Sequence, residues 1–99
     1  MIYLFLADGF EECEALAPLD ILRRSGAMVK TVGVGKEYIT GTHGITVKAD
    51  ILEGQVVLDD NLQGVILPGG MPGTNNLESN ETVKRAVTFA NENKKQGRI

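Results

Sequence analysis

The distribution of apolar residues predicts two strands that are buried on both faces. Residues 2–7 are continuously apolar until Asp8 and Gly9 break the run, and Val65-Ile66-Leu67 form a second such run that ends at Pro68. Strands inside a parallel sheet show unbroken apolar runs because helices cover both of their faces. The chain therefore predicts a parallel sheet.

A helix and a second strand follow the first apolar run. Three glutamates lie at the predicted helix start and two arginines at its end, the charges that the helix dipole favours there. Gly26 is placed for a left-handed C-cap. Residues 28–34 then predict a second strand, which makes a βαβ unit with a right-handed crossover.

The middle of the chain departs from this repeat. Residues 38–49 predict a short hairpin with one wet face, turning at residues 41–44. Residues 51–63 show no clean period, and we interpret them as a connector that holds one helical turn or a short strand. Residues 71–74 are expected to continue the loop that begins at Pro68.

The last segment predicts a helix over residues 81–96, capped by Ser79 or Asn80 and closed by Gly97. Arg98-Ile99 then resemble the first residues of another strand. A strand in an alternating fold must bury its apolar side chains against further elements. We therefore interpret residues 1–99 as the N-terminal part of a single α/β domain that continues beyond Ile99.

Composition narrows the classes of partner and compartment. The net charge is -3 with a pI near 5.0, and the basic residues form no stripe, which argues against nucleic acid as a ligand. The first apolar run has no basic segment before it and is too short to be a signal peptide or a membrane span. The single cysteine excludes an internal disulfide, so a reducing, cytoplasmic setting is expected.

Candidate chemistry lies at the carboxyl ends of the two apolar strands, where open parallel sheets bind ligands. Gly69 and Gly70 leave their backbone N–H groups unobstructed, which suits an oxyanion or phosphate; the alternative is a turn chosen for its dihedral angles. The chain contains no GxGxxG or GxxxxGK[ST] pattern, which weakens any nucleotide hypothesis.

The glutamates of the first helix divide into two groups. Glu11 and Glu12 are interpreted as solvated side chains that compensate the helix dipole. Glu14 differs, because Pro18 has no N–H to pair with its carbonyl and should distort the helix around it. A distorted turn at this edge of the sheet is a plausible functional position.

Two other reactive residue types are interpreted as non-catalytic. Cys13 lies between Glu12 and Glu14, which would oppose a thiolate, so we predict a small buried filler. His43, the single histidine, lies in the predicted hairpin turn, where a surface or subunit contact is expected.

Three blocks of the sequence together resemble the ThiJ/PfpI family, which includes the protein deglycase associated with Parkinson disease. The blocks are residues 8–14, 18–26 and 65–70, and they occur in the family's order over essentially the whole chain. The resemblance implies a flavodoxin-like three-layer α/β sandwich with a mostly parallel sheet, a homodimer, and no cofactor or metal.

The resemblance also implies site roles. It carries the acidic partner of a reactive cysteine onto Glu14 and the oxyanion-side backbone amides onto Gly69 and Gly70. The cysteine itself, at a strand-to-helix elbow, would lie a few residues beyond Ile99. Catalysis would then need the remainder of the protein, either in the same chain or as a second chain.

By the same resemblance, the expected substrates are small reactive carbonyls, and the expected reaction is of glyoxalase or deglycase type. Glu14 would stay protonated in a pocket poor in water and donate a hydrogen bond to the thiolate. Redox sensing, chaperone activity and an intracellular cysteine peptidase remain alternatives within the family. No residue supports the thiamine-biosynthesis label of ThiJ-like names, and the missing phosphate loop disfavours a plain flavodoxin-like ligand binder.

Overall fold

The fold is an α/β arrangement with a parallel sheet between helices. The computed structural model describes residues 1–93. In chain order the elements are β1 (Ile2–Leu6), α1 (Glu12–Arg24), β2 (Val29–Gly33), β3 (Tyr38–Thr40), β4 (Thr46–Lys48), β5 (Ile51–Leu52), a 3-10 turn (Glu53–Gln55), β6 (Gly64–Ile66), α2 (Gly73–Glu78) and α3 (Glu81–Glu92).

The main sheet has the strand order β5-β2-β1-β6, and all of its pairs are parallel. At β1, Ile2 lies opposite Val29 on one side and Gly64 on the other. The chain thus leaves β1 for a neighbour on one side and later returns to its other side. This makes the β1–β6 junction the switch point of the sheet, and the predicted α/β class with a parallel sheet is confirmed.

Successive residues of β1 enter two different cores. Tyr3 and Phe5 pack in a cluster with α2 and α3, whereas Leu4 and Leu6 pack in a second cluster with α1 and the hairpin. All four side chains are buried. Because each face of the strand has its own helical cover, the sequence of β1 is continuously apolar rather than alternating.

The ends of α1 follow the predicted signals. Gly26 has a φ of 89°, and its N–H donates to the Arg23 carbonyl at 3.1 Å while Ala27 N–H donates to the Leu22 carbonyl at 3.0 Å. This pair of bonds is a Schellman motif, which satisfies carbonyls that the helix end leaves free. Pro18 lies inside α1 without ending it.

The hairpin of β3 and β4 is confirmed as a separate antiparallel pair. Residues 51–63 contain both alternatives offered for them, since β5 extends the main sheet beside β2 and the 3-10 turn follows. The prediction of a continued loop holds for residues 71–72 but is wrong for residues 73–74, because α2 begins at Gly73. The Gly, Thr and Asn residues of α2 have low helix propensity. The helix is therefore stabilised by tertiary contacts, namely the buried side chain of Leu77 and the contact of Gly73 with Gly9.

At the start of α3, Asn80 is the capping residue, and its Oδ1 accepts from Val83 N–H at 3.0 Å. Ser79 instead ends α2. The predicted continuation of α3 to residue 96, the closing Gly97 and the strand onset at Arg98-Ile99 lie outside the described residues. Within residues 1–93, β6 pairs with β1 alone, so its other edge carries no strand.

The Schellman motif gives a direct stability test. A Cβ at Gly26 would meet nothing within 4 Å, so Gly26→Ala tests the left-handed backbone conformation alone. We expect the free energy of unfolding to fall by about 1 kcal/mol, measured by chemical denaturation. Gly54→Ala is the matched control, since that site is equally open but has no positive φ, and it should be neutral or stabilising. Equal losses from both variants would contradict this account.

Candidate functional site

The loops that follow β1 and β6 meet at the switch point of the sheet. Glu11 N–H donates to the Gly69 carbonyl at 2.8 Å, and Gly73 N–H donates to the Gly9 carbonyl at 3.2 Å. The acidic turn and the glycine loop therefore face one another.

Glycine is required for this approach. Gly70 has a φ of 105°, and a Cβ there would lie 2.6 Å from both Glu11 N and the Gly9 carbonyl oxygen. A Cβ at Gly73 would lie 2.7 Å from the same Gly9 oxygen. These contacts are with backbone atoms, which cannot move aside cheaply, so the two loops meet main chain to main chain.

Glu14 lies beside the glycine pair. Its Oε1 accepts from Gly69 N–H at 2.8 Å. A Cβ at Gly69 would lie 2.6 Å from that same oxygen. The Glu14 side chain is exposed in the described part of the chain, so nothing in residues 1–93 supplies the pocket poor in water that we expected around it.

The two glycine amides differ in what they can do. Gly69 N–H is already used by Glu14. Gly70 N–H makes no hydrogen bond within residues 1–93, while its carbonyl accepts from Thr74 N–H at 2.8 Å. Of the pair, Gly70 is the one whose donor is available to a ligand, and Gly69 holds the acid.

Glu12 is buried, so the prediction that its side chain is solvated is wrong. Its exposure is 4%, and its carboxylate accepts four hydrogen bonds from the hairpin turn. The donors are His43 N–H (2.8 Å), His43 Nδ1 (2.9 Å), Ile45 N–H (3.3 Å) and Thr42 Oγ1 (3.3 Å). Glu12 thereby fastens the hairpin to the first turn of α1.

The contacts of Glu12 also decide its ionisation. Burial opposes the charged form, but the hydrogen bonds from His43 and from backbone amides outweigh it and lower the pKa of Glu12 to about 2. The hydrogen bond and the charge of Glu12 in turn raise the pKa of His43 above its usual 6.5. His43, expected to be a surface or subunit contact, does lie at the surface, with 69% of its side chain exposed, and it also pairs with Glu12 of α1.

A sequence signal for the burial of Glu12 does exist. Glu12, Ala15 and Leu19 recur at helical spacing and are the three buried residues of α1. The partner at position 43 carries no such signal, because it is distant in sequence. Cys13 lies off this face and is exposed, so its prediction as a buried filler is also wrong.

Glu11 is neither free nor fully solvated. It is the N-cap of α1, and its Oε2 accepts from Glu14 N–H at 2.8 Å. Glu11, Glu12 and His43 form the one group of three potential metal ligands in residues 1–93, with ligand atoms within 4.8 Å of one another. Because hydrogen bonds already occupy the Glu12 oxygens, we assign this group a structural role.

The comparison with known proteins decides the family. The sequence profile of the DJ-1/PfpI family matches residues 1–99. The chain belongs to the DJ-1/PfpI family. The resemblance to ThiJ/PfpI proteins drawn from the three sequence blocks is thereby confirmed.

Individual relatives give the extent of the match. This DJ-1/PfpI chain is 34% identical over 89 residues to the Parkinson disease protein 7 homolog of Danio rerio, covering 85% of the chain and 45% of the relative. It is 38% identical over 71 residues to Deglycase PfpI of Pyrococcus furiosus, covering 71% of the chain and 42% of the relative.

Among solved structures, the chain is similar to a DJ-1 superfamily protein of Salmonella typhimurium, crystallised as a cysteine-to-alanine mutant. The TM-score is 0.86 at 33% identity, over 97% of this chain and 52% of that one. The chain thus spans about half of the length of such relatives, or less. No helix in residues 1–93 has the length and apolar character needed to cross a bilayer.

The Glu12–His43 pair predicts a pH window of stability. The folded-state pKa of Glu12 is below its usual 4.5, so its contribution is present above pH 4.5 and is lost as the pH falls towards 2. The pKa of His43 is raised above 6.5, so its contribution is present below pH 6.5 and is lost as the pH rises through the folded-state value. The pair should stabilise the fold most between these two limits.

Chemical denaturation of wild type and His43→Ala tests this window. The difference in unfolding free energy should be larger at about pH 5.5 than at about pH 9, because the contribution of protonated His43 is lost as the pH rises. Glu92→Gln is the control, since that exposed side chain makes no hydrogen bond or ion pair in the described structure. If the difference in unfolding free energy between wild type and His43→Ala does not change with pH, the ionised Glu12–His43 pair is refuted.

Proposed function

We propose that this chain supplies the acid and the backbone donor of a cysteine-dependent enzyme that acts on small reactive carbonyls, of glyoxalase or deglycase type. The observation that carries the proposal is the 2.8 Å hydrogen bond from Gly69 N–H to Glu14, beside a Gly70 N–H left available at the switch point. Residues 1–99 are then the N-terminal part of one domain, and the cysteine belongs to polypeptide beyond Ile99, in the same chain or a second one.

In the proposed mechanism, Glu14 is protonated and donates a hydrogen bond to the cysteine thiolate. Because Gly69 N–H donates to Oε1, the proton is carried by Oε2, which can face the sulfur. The thiolate attacks the carbonyl carbon, a C–S bond forms, and the carbonyl electron pair moves to oxygen. Gly70 N–H then stabilises the oxyanion, a contribution of about 3 kcal/mol for one such donor.

The relatives support the substrate class through their names alone. The Pyrococcus furiosus relative and a second relative from Thermococcus kodakarensis are both called deglycases. A redox sensor or chaperone would use the same cysteine without turnover. Consumption of methylglyoxal therefore distinguishes an enzyme from either of them.

The test is consumption of methylglyoxal by the full-length protein with Glu14→Gln. Glutamine can still accept from Gly69 N–H, so the loop is kept while the acid is lost. We expect kcat/KM to fall by roughly 100-fold and the pKa of the catalytic thiol to rise. Glu92→Gln, an exposed glutamate on α3, is the matched control and should leave both unchanged.

An unchanged rate and thiol titration for Glu14→Gln would end the proposed mechanism. If the wild-type protein takes up one equivalent of peroxide but consumes no methylglyoxal, the sensor reading replaces the enzyme.

We also propose that the whole protein is a cytoplasmic homodimer that associates through α1 and the hairpin. Both elements expose apolar side chains, with Ile21 65% and Ile45 50% exposed, and Glu12 holds the two elements together. A contact between copies would cover these side chains.

Light scattering after size exclusion tests the dimer. Ile21→Glu should lower the mass from dimer to monomer, because it places a charge in an apolar contact. Val57→Glu is the control, since Val57 is similarly exposed at 58% but lies in the connector before β6. A monomeric wild type, or dissociation by Val57→Glu alone, would refute the proposed interface.

A further inference from the structure

Glu11 contacts every part of the candidate site that the chain provides. Its Oε2 accepts from Glu14 N–H at 2.8 Å, and its own N–H donates to the Gly69 carbonyl at 2.8 Å. A Cβ at Gly70 would lie 2.6 Å from Glu11 N, so Gly70 rests directly on the Glu11 backbone. One residue thus touches the acid and both glycines.

The choice of glutamate at this position is informative. Helix N-caps are usually Ser, Thr, Asp or Asn, whose short side chains reach the N–H groups of the first turn. Glutamate is one methylene longer than aspartate. Here the extra length lets Oε1 lie 3.8 Å from His43 Nδ1 while Oε2 caps the helix.

The hairpin keeps that second contact in place. His43 is itself fixed by Glu12, through its backbone N–H at 2.8 Å and its Nδ1 at 2.9 Å. Thr42 N–H also donates to the Phe10 carbonyl at 2.9 Å, immediately before Glu11. The imidazole is therefore held at a defined position beside Glu11.

We propose that Glu11 is a positioning residue for the site: it holds Glu14 against Gly69 and orients Gly70 N–H, and His43 keeps its carboxylate in the capping geometry. The inference rests on the proposed function for its catalytic meaning. Glu11 acts through Glu14 and the glycine pair. A merely structural cap would stabilise α1 without controlling the Gly69–Glu14 bond, and the experiment separates these roles.

The experiment is NMR of the full-length protein, labelled with ¹⁵N. Gly69 N–H donates to Glu14, so its proton shift should follow the ionisation of that carboxyl, and its hydrogen exchange should be slow. In Glu11→Ala we expect the amplitude of this titration to fall by about half and exchange of Gly69 N–H to accelerate about fivefold, the factor that loss of one helix cap produces. Glu11→Asp keeps a capping carboxylate and should restore most of the protection.

Asn80→Ala is the matched control. It removes a cap of the same kind, since Asn80 Oδ1 accepts from Val83 N–H at 3.0 Å at the start of α3. It should cost comparable global stability and leave the Gly69 titration at its wild-type amplitude. His43→Ala should give a partial version of the Glu11→Ala effect at Gly69.

Wild-type titration and exchange of Gly69 in Glu11→Ala would overturn the inference, as would an equal change at Gly69 in Asn80→Ala. The readout needs no turnover. If Glu14→Gln leaves methylglyoxal consumption intact while Glu11→Ala still releases Gly69, the proposed function fails and the positioning role stands. If the enzyme is active and Glu11→Ala lowers neither kcat nor Gly69 protection, the positioning role fails alone.

Discussion

The parallel pairing of β1 with strands on both sides is the constraint on which the rest of the structure depends. Its N-terminal half is paired with β2 and β6 at once, and its side chains fill two cores on opposite faces. A strand held in this way has no freedom of register, because a shift by one residue would exchange the two sets of core side chains. The fixed register of β1 and β6 also fixes the positions of residues 7–11 and 67–70, which directly follow these two strands.

Close contact between backbones brings the loops after β1 and β6 together to form the candidate site. Gly9, Gly70 and Gly73 lie so near one another that side chains at these positions would overlap main-chain atoms. The hairpin joins the same assembly, since Gly9 N–H donates to the Thr40 carbonyl at 2.9 Å. Three segments that are distant in sequence are thereby fixed around the first turn of α1, where Glu11, Glu12 and Glu14 each take a different role.

The burial of Glu12 shows how such an arrangement stays stable. A carboxylate removed from water is costly unless hydrogen bonds replace its hydration, and a carboxylate has two oxygens that can each accept more than one bond. The hairpin turn supplies four donors, and Gly41 leaves room for the carboxylate because any side chain there would overlap it. The hairpin is thus held to the main fold by a polar contact as well as by the buried Ile39.

The local elements of this protein were largely determined by the sequence itself. Unbroken apolar runs predict β1 and β6, and charges and Gly26 mark the ends of α1, because these signals are local. Three blocks of residues resemble a known family, and that resemblance leads to Glu14 and the glycine pair. Only the tertiary structure decided that Glu12 is buried against His43, that Cys13 is exposed, that residues 73–78 form a helix, and that Gly69 and Gly70 have different hydrogen-bonding partners. The physical reason is that each of these depends on contacts between segments distant in sequence, which outweigh local propensity and are absent from any short window of residues.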